Sequence, residues 1–222
     1  DLDDPAVARA IAESGARNPK ALRLSGEMQR RLARQEEVAC LPAGALDNQH
    51  PILRAVTLAM LTARWEGLDP SYAQERVLGS AARAGRIPVL SLESPRQQLE
   101  ALIPKEEAKA IELLLQTLIQ IESGVARRTT ARLALVWAEG RLEELERYEQ
   151  WCECVVTEED RAYLRRVNDD RNPTLARRIE AMHASGKRVF AAIGVMHMTG
   201  PRSLLQLLEQ RGFVVERVMF GP

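Results

Sequence analysis

The chain has no surplus of charge of either sign: 31 Lys and Arg balance 31 Asp and Glu across 222 residues, so the formal net charge is zero. No basic block stands out as a phosphate-binding face, and nucleic acid is therefore not an expected partner. Long apolar runs are missing too. The most apolar stretches, such as IELLLQTLIQI at residues 111–121, are interrupted by polar residues well short of the ~20 needed to span a bilayer, so no transmembrane segment is expected. There is no internal repeat and no low-complexity segment. The opening DLDDPAVARA has neither an initiator methionine nor the apolar core of a signal peptide, which reads as a processed or trimmed product with something upstream missing.

Cysteine is scarce and odd in number. Cys152 and Cys154 form a Cys-x-Cys pair that lacks the second pair a zinc knuckle needs, and Cys40 stands alone. Two readings stay open: ordinary helix-end thiols, or, in an oxidising compartment, a bond from either member to Cys40. A hydrophobic content of 45% over this length supports one sizeable domain spanning residues 1–222.

Most of what is present reads as helix. Residues 6–11 and 20–37 carry Ala, Leu and Met at helical spacing among charged residues, and ILRAVTLAMLTARW at 52–65 looks largely buried, with Pro51 in its first turn and Gly67 at its end. Residues 70–84 form a further helix closing at Gly85. Residues 105–151 return to helix with breaks near Gly124 and Gly140, as a helical insertion or cap.

Three stretches read instead as strands: IPVLSLE at 87–93, RVFAAIG at 188–194 and FVVERVMF at 213–220. Asn172-Pro173 supplies an N-cap and first-turn proline for the helix before the second strand, and Gly186 its stop. A strand-helix-strand unit of this kind forms a right-handed parallel crossover. The expected fold class is α/β, a mostly helical chain around a small, mainly parallel sheet built from residues 66–102 and 171–220. Three strands are few for a parallel sheet, so further strands are expected from an upstream segment or a partner chain.

Chemistry concentrates at the strand ends. In FAAIGVMHMTGP, Gly194 lets the backbone turn as it leaves the strand and His197 points across the sheet edge, either as a metal ligand or acid/base, or as a histidine that caps the next helix. Glu93 also ends a strand. It either converges with His197 on a divalent ion or pairs as an exposed charge with a nearby arginine. Asn172 reads as an N-cap, and Arg171 as a surface arginine or as a clamp for a carboxylate or oxyanion. His183 and His50 lack a partner at metal spacing and read as structural.

The residues RNPTLARRIEAMHASGKRVFAAIGVMHMTGPRSLLQLLEQRGFVVERV and EGLDPSYAQERVLGSAARAGRIPVLSLESPRQQLEAL closely resemble the C-terminal and middle parts of the TraB/GumN family, bacterial relatives of the Tiki proteases. The resemblance covers two-thirds of the chain or more. It implies a metal-dependent hydrolase-like fold with two Gly-x-x-His motifs, acidic residues and an arginine at its centre. Gly194 and His197 match the second motif, Glu93 the middle carboxylate, and Arg171 with Asn172 the Arg-Asn pair. The first Gly-x-x-His is absent from this sequence.

On this resemblance, His197 and Glu93 are the expected ligands of a zinc, manganese or cobalt ion, incompletely held by this chain. Glu93, Arg171 and His197 are the expected catalytic residues, with Gly194 and Asn172 expected to bind the cofactor. The substrate is a peptide or similar small molecule, and the location the periplasm or cell envelope. Two other expectations compete. One is a non-catalytic ligand- or haem-binding module, since haem-binding ChaN-like proteins and erythromycin-esterase-like enzymes share a similar fold. The other is an interaction domain whose helical stretch at 105–151 pairs two copies as a homo-oligomer.

Overall fold

The computed structural model describes residues 5–219, and within them 61% of the chain is helix and no strand or sheet forms. The expected α/β architecture, with a mainly parallel sheet from residues 66–102 and 171–220, is corrected to an all-helical one. The helix boundaries follow local chemistry closely. After α1 (Pro5–Glu13), α2 (Gly26–Val38) begins where the Ser25 hydroxyl accepts the Met28 N–H at 3.2 Å, six residues later than spacing alone indicates. The next helix, α3 (Pro51–Leu61), has Pro51 in its first turn, and a 3-10 turn, Thr62–Glu66, carries it to Gly67 at φ 78°. Only glycine adopts that φ without strain, so the end is set by sequence.

A second set of helices follows a 3-10 turn at Pro70–Tyr72. These are α4 (Gln74–Ala84) and α5 (Pro95–Leu102), the latter opened by a reciprocal cap between Ser94 and Gln97. Residues 105–151 are helical as expected. They divide into α6 (Glu107–Glu122), α7 (Val125–Ala138), α8 (Leu142–Glu146) and α9 (Tyr148–Trp151), with left-handed Gly124 and Gly140 at the breaks. The chain ends in α10 (Glu158–Val167), α11 (Asn172–Ala184) and α12 (Leu204–Glu209).

Two apolar clusters hold these helices. The larger joins α2, α3 and α6 through Leu32, Ile52, Ala55, Leu58, Leu114 and Leu118, each 0–1% exposed. Leu114 and Leu118 of α6 are thus spent inside the chain, while Ile119 of α6 and Leu135 and Trp137 of α7 stay exposed. The smaller cluster joins α11 and α12 through Leu175, Ala176, Ile179 and Leu204, with Leu92 and Ile193 packed against it. At about 25 cal/mol per Å2 of buried apolar surface, the first dominates.

Residues 87–93 and 188–194 reach this smaller cluster through Leu92 and Ile193, and the described part of the third run, 213–219, is likewise irregular chain without ladder partners, its last residue, 220, lying outside the described residues. Phe190 is 82% exposed and Val214 87%. Their β-branched and aromatic content favours a pleated, half-buried surface, but that preference is expressed only when a neighbouring strand supplies hydrogen bonds. No such neighbour stands among the described residues. Among those residues, too, no helix is long and apolar enough to cross a membrane. Cys152 and Cys154 are bonded to each other, while Cys40 is exposed and free, so the pairing with Cys40 is not realised.

Candidate functional site

The segments around residues 93 and 197 each meet the start of one helix, without a sheet between them. Helix α11 supplies the meeting point. Arg171 precedes its first turn and Asn172 opens it; the two side chains reach the two segments separately.

Arg171 faces Glu93. Its Nε lies 3.0 Å from Glu93 Oε1 and 3.2 Å from Oε2, and its Nη2 also donates to Oε2, a fork-to-carboxylate arrangement. The Arg171 Nη1 group donates to the Val167 carbonyl at 2.8 Å, which fixes the guanidinium against the end of α10. Glu93 is buried, so the exposed strand-end charge is corrected to a buried one, although its arginine partner was anticipated. The carboxylate is engaged through both oxygens.

Asn172 is not the N-cap that Asn-Pro spacing indicates; Arg171 holds that position, and no side chain caps the helix. Asn172 is 0% exposed and turned inward. Its Nδ2 donates to the Arg202 carbonyl at 2.8 Å and approaches the His197 carbonyl at 3.4 Å, which fixes the amide orientation and leaves Oδ1 to face His197 Nδ1 at 2.7 Å. A carbonyl oxygen only accepts. In the neutral ring Nδ1 therefore carries the proton and Nε2 the lone pair.

Three groups act on that ring. Burial and then the positive charge of Arg171 push the His197 pKa down to about 4, against the weaker opposing pull of Glu93 and the Asn168 carbonyl. At neutral pH the imidazole is uncharged. His197 itself sits in a 3-10 turn, Val195–Met198, closed by its N–H to the Gly194 carbonyl at 3.0 Å.

Gly194 does not supply the backbone freedom expected of it. Its φ of −56° suits any residue, and a Cβ there would meet His197 Cδ2 at an ordinary 3.8 Å. The left-handed glycine of this loop is Gly200, at φ 80°.

Arg178 escaped the sequence reading. Its Nη1 donates to the Leu92 carbonyl and its Nη2 lies 3.4 Å from Gln97 Oε1, strapping the Glu93 segment to α11. Its signal was spacing: seven residues beyond Arg171 is about two helical turns, hence the same face. His183 stays outside the site, its ring tilted against Phe213 with centroids 5.3 Å apart. A recess of about 300 Å3 between α2 and α3, lined by Leu22, Leu32, Asp47 and Arg54 among others, shares no residue with this cluster.

Among the described residues no three His, Cys, Asp or Glu side chains gather as a metal-ligand group. Glu93 and His197 offer two donors, one already held by a guanidinium. A transition metal takes three or four protein ligands, so these residues alone do not fit one.

No curated protein and no solved structure matches the chain. A family model does match, over residues 6–217, and it describes the TraB/PrgY/gumN family. A match over nearly the whole chain, with the Glu93, Arg171-Asn172 and Gly194-x-x-His197 positions brought together around one helix start, makes this protein a member of the TraB/PrgY/gumN family.

Proposed function

We propose that the protein is a hydrolase of its family acting on a peptide or similar bond, with His197 as the chemically active group. The observation that carries this reading is the buried pairing of Asn172 with His197, which holds a neutral imidazole with Nε2 as its lone-pair nitrogen. Such a ring, oriented through its other nitrogen, suits a ligand role or proton acceptance from a bound group. Glu93 serves here to hold Arg171, not to act as general base. Arg171 is a fixed positive charge beside the ring, and its forked grip on Glu93 limits its freedom to follow a developing oxyanion.

A divalent zinc, manganese or cobalt ion at His197 belongs to this reading only with donors beyond Glu93 and His197. The periplasm or cell envelope goes with the reading, and a disulfide-bonded cysteine pair accords with an oxidising compartment.

The occupied Glu93 carboxylate favours a second reading, a ligand- or haem-binding module in which His197 is an axial-type ligand and nothing is turned over. The deciding experiment is metal content by inductively coupled plasma mass spectrometry, with peptide hydrolysis, on the full-length encoded protein and on its His197→Ala variant. Near-stoichiometric metal and turnover in the parent, both lost in the variant, support the hydrolase. Absence of both from the parent overturns it.

A further inference from the structure

The pair Cys152–Cys154 lies outside the Arg171–His197 cluster, in the link between α9 and α10. One residue separates the two cysteines. A structural disulfide gains most when it closes a long loop, because it then removes much chain entropy from the unfolded state. A bridge across a single residue constrains almost nothing. Glu153 between them is exposed and its Oε2 lies 2.6 Å from Arg128 Nη2, so the link is already tethered to α7 by other means.

The two cysteines differ in residue exposure and in surroundings. Cys152 is 5% exposed, whereas Cys154 is partly open to solvent. The Cys154 backbone N–H donates to Cys152 Sγ at 3.2 Å, and the Thr129 hydroxyl approaches the same sulfur at 3.8 Å. The Tyr148 hydroxyl stands 3.1 Å from Cys154 Sγ and 3.3 Å from Cys152 Sγ. Its ring is fixed edge-on to Trp151, with centroids 5.0 Å apart, and Arg132 covers the far ring at 4.2 Å. Burial raises the Tyr148 pKa to about 12, so the phenol keeps its proton and remains a donor.

We propose that Cys152 and Cys154 form a thiol–disulfide exchange centre, in which an external thiolate attacks the accessible Cys154 sulfur and Cys152 departs as the thiolate. Exchange is governed by which sulfur can be reached and by how stable the leaving thiolate is, and these two demands fall here on different sulfurs. In the first step a small thiolate bonds to Cys154 Sγ as the Cys152–Cys154 bond breaks, its electron pair passing to Cys152 Sγ. The N–H of Cys154 and the hydroxyls of Tyr148 and Thr129 receive that charge.

A second thiolate then attacks the external sulfur of the mixed disulfide and frees Cys154. The balance is two small thiols oxidised to one small disulfide, and the protein disulfide reduced to two thiols. Run backwards, a small disulfide oxidises the pair. Tyr148 is a positioning residue for the leaving charge.

The test equilibrates the full chain, with Cys40→Ser to remove the free thiol, in glutathione buffers of graded redox ratio. Thiols are trapped with a maleimide and counted by mass spectrometry, and circular dichroism follows the fold. Both sulfurs should titrate together and reversibly while the helices persist. The Cys152→Ser variant should accumulate a glutathione adduct on Cys154, and the Cys154→Ser variant none on Cys152.

With Tyr148→Phe, about tenfold more reducing glutathione should be needed at the midpoint, since a hydrogen bond to the thiolate is lost. A pair that is reduced only on unfolding, or that does not re-form under oxidised glutathione, overturns the proposal. So does an adduct on Cys152 in place of Cys154. An unmoved midpoint in Tyr148→Phe removes the role given to that tyrosine.

Discussion

His50 and His197 are equally buried, each 6% exposed, and the chain uses them in opposite ways. At the start of α3, His50 Nδ1 accepts the Ile52 N–H at 3.1 Å, so its lone pair is spent on an orphan donor of the helix and Nε2 carries the proton. At the start of α11 the polarity is reversed: His197 donates from Nδ1 to Asn172, and the lone pair stays on Nε2. The surroundings match these uses. His50 abuts the large apolar cluster of α2, α3 and α6, where a cap completes a helix and nothing more is asked. His197 abuts the smaller cluster, where buried polar pairs share the work of holding the segments together. Burial alone therefore does not separate these two histidines; the tautomer does.

Removing the group that sets the His197 tautomer should have the largest effect. Asn172→Leu strands the Arg202 carbonyl and the His197 Nδ1 proton without partners, and at about 1–3 kcal/mol per stranded group the loss should be about 3 kcal/mol in urea unfolding. A loss below 1 kcal/mol would show that the pair does not order this region.

Next comes Arg171→Met, which leaves the Glu93 carboxylate buried without a counter-charge. Breaking a fully buried pair costs about 3–5 kcal/mol, and because the Arg171 side chain is 23% exposed we expect about 2 kcal/mol. Adding Glu93→Gln should recover part of it, as coupled neighbours are not additive.

The pH dependence sharpens the comparison without mutation. A histidine whose folded pKa lies near 4 and whose unfolded value is about 6.5 binds fewer protons folded than unfolded between those values. Its stability contribution is complete above about pH 6.5 and is lost as the pH falls toward 4, where it levels off. Burial lowers the His50 pKa in the same direction, so His50 too loses stability as the pH falls below about 6.5. Histidine chemical shifts followed by nuclear magnetic resonance should give the His197 midpoint near 4, and a value near 6.5 would deny the ring its buried setting.

The smallest change belongs to His50→Asn. Asparagine is itself a favoured N-cap, so stability at pH 7 should move by less than about 1 kcal/mol, and the His50 share of the acid loss should disappear.

The helices were legible because their signals are local. Pro51, Gly67, Gly124 and Gly140 act within a turn of where they stand, and the chain obeys them, whereas helical spacing from residue 20 hides the Ser25 cap that starts α2. The sheet was not legible, because Val189, Phe190 and Val214 state only a readiness to pair, while pairing depends on a neighbour that local sequence does not name. The site lies between these cases. Glu93, Arg171 and His197 do come together, but Asn172 was misread because Asn-Pro is a strong local cap signal and its true partner lies 25 residues further on. Arg178 was silent for the same reason, its acceptor standing 86 residues away in sequence.

The unpaired runs near residues 87–90, 189–190 and 214–219 carry a colloidal consequence. Ile87, Phe190 and Val218 are 63%, 82% and 72% exposed, in backbone that no ladder occupies. Unpaired apolar chain of this type templates lateral association between molecules. Light scattering by the protein should therefore rise with concentration well before its helices melt, and a single lysine at Phe190 should delay that rise while leaving the α11–α12 cluster untouched.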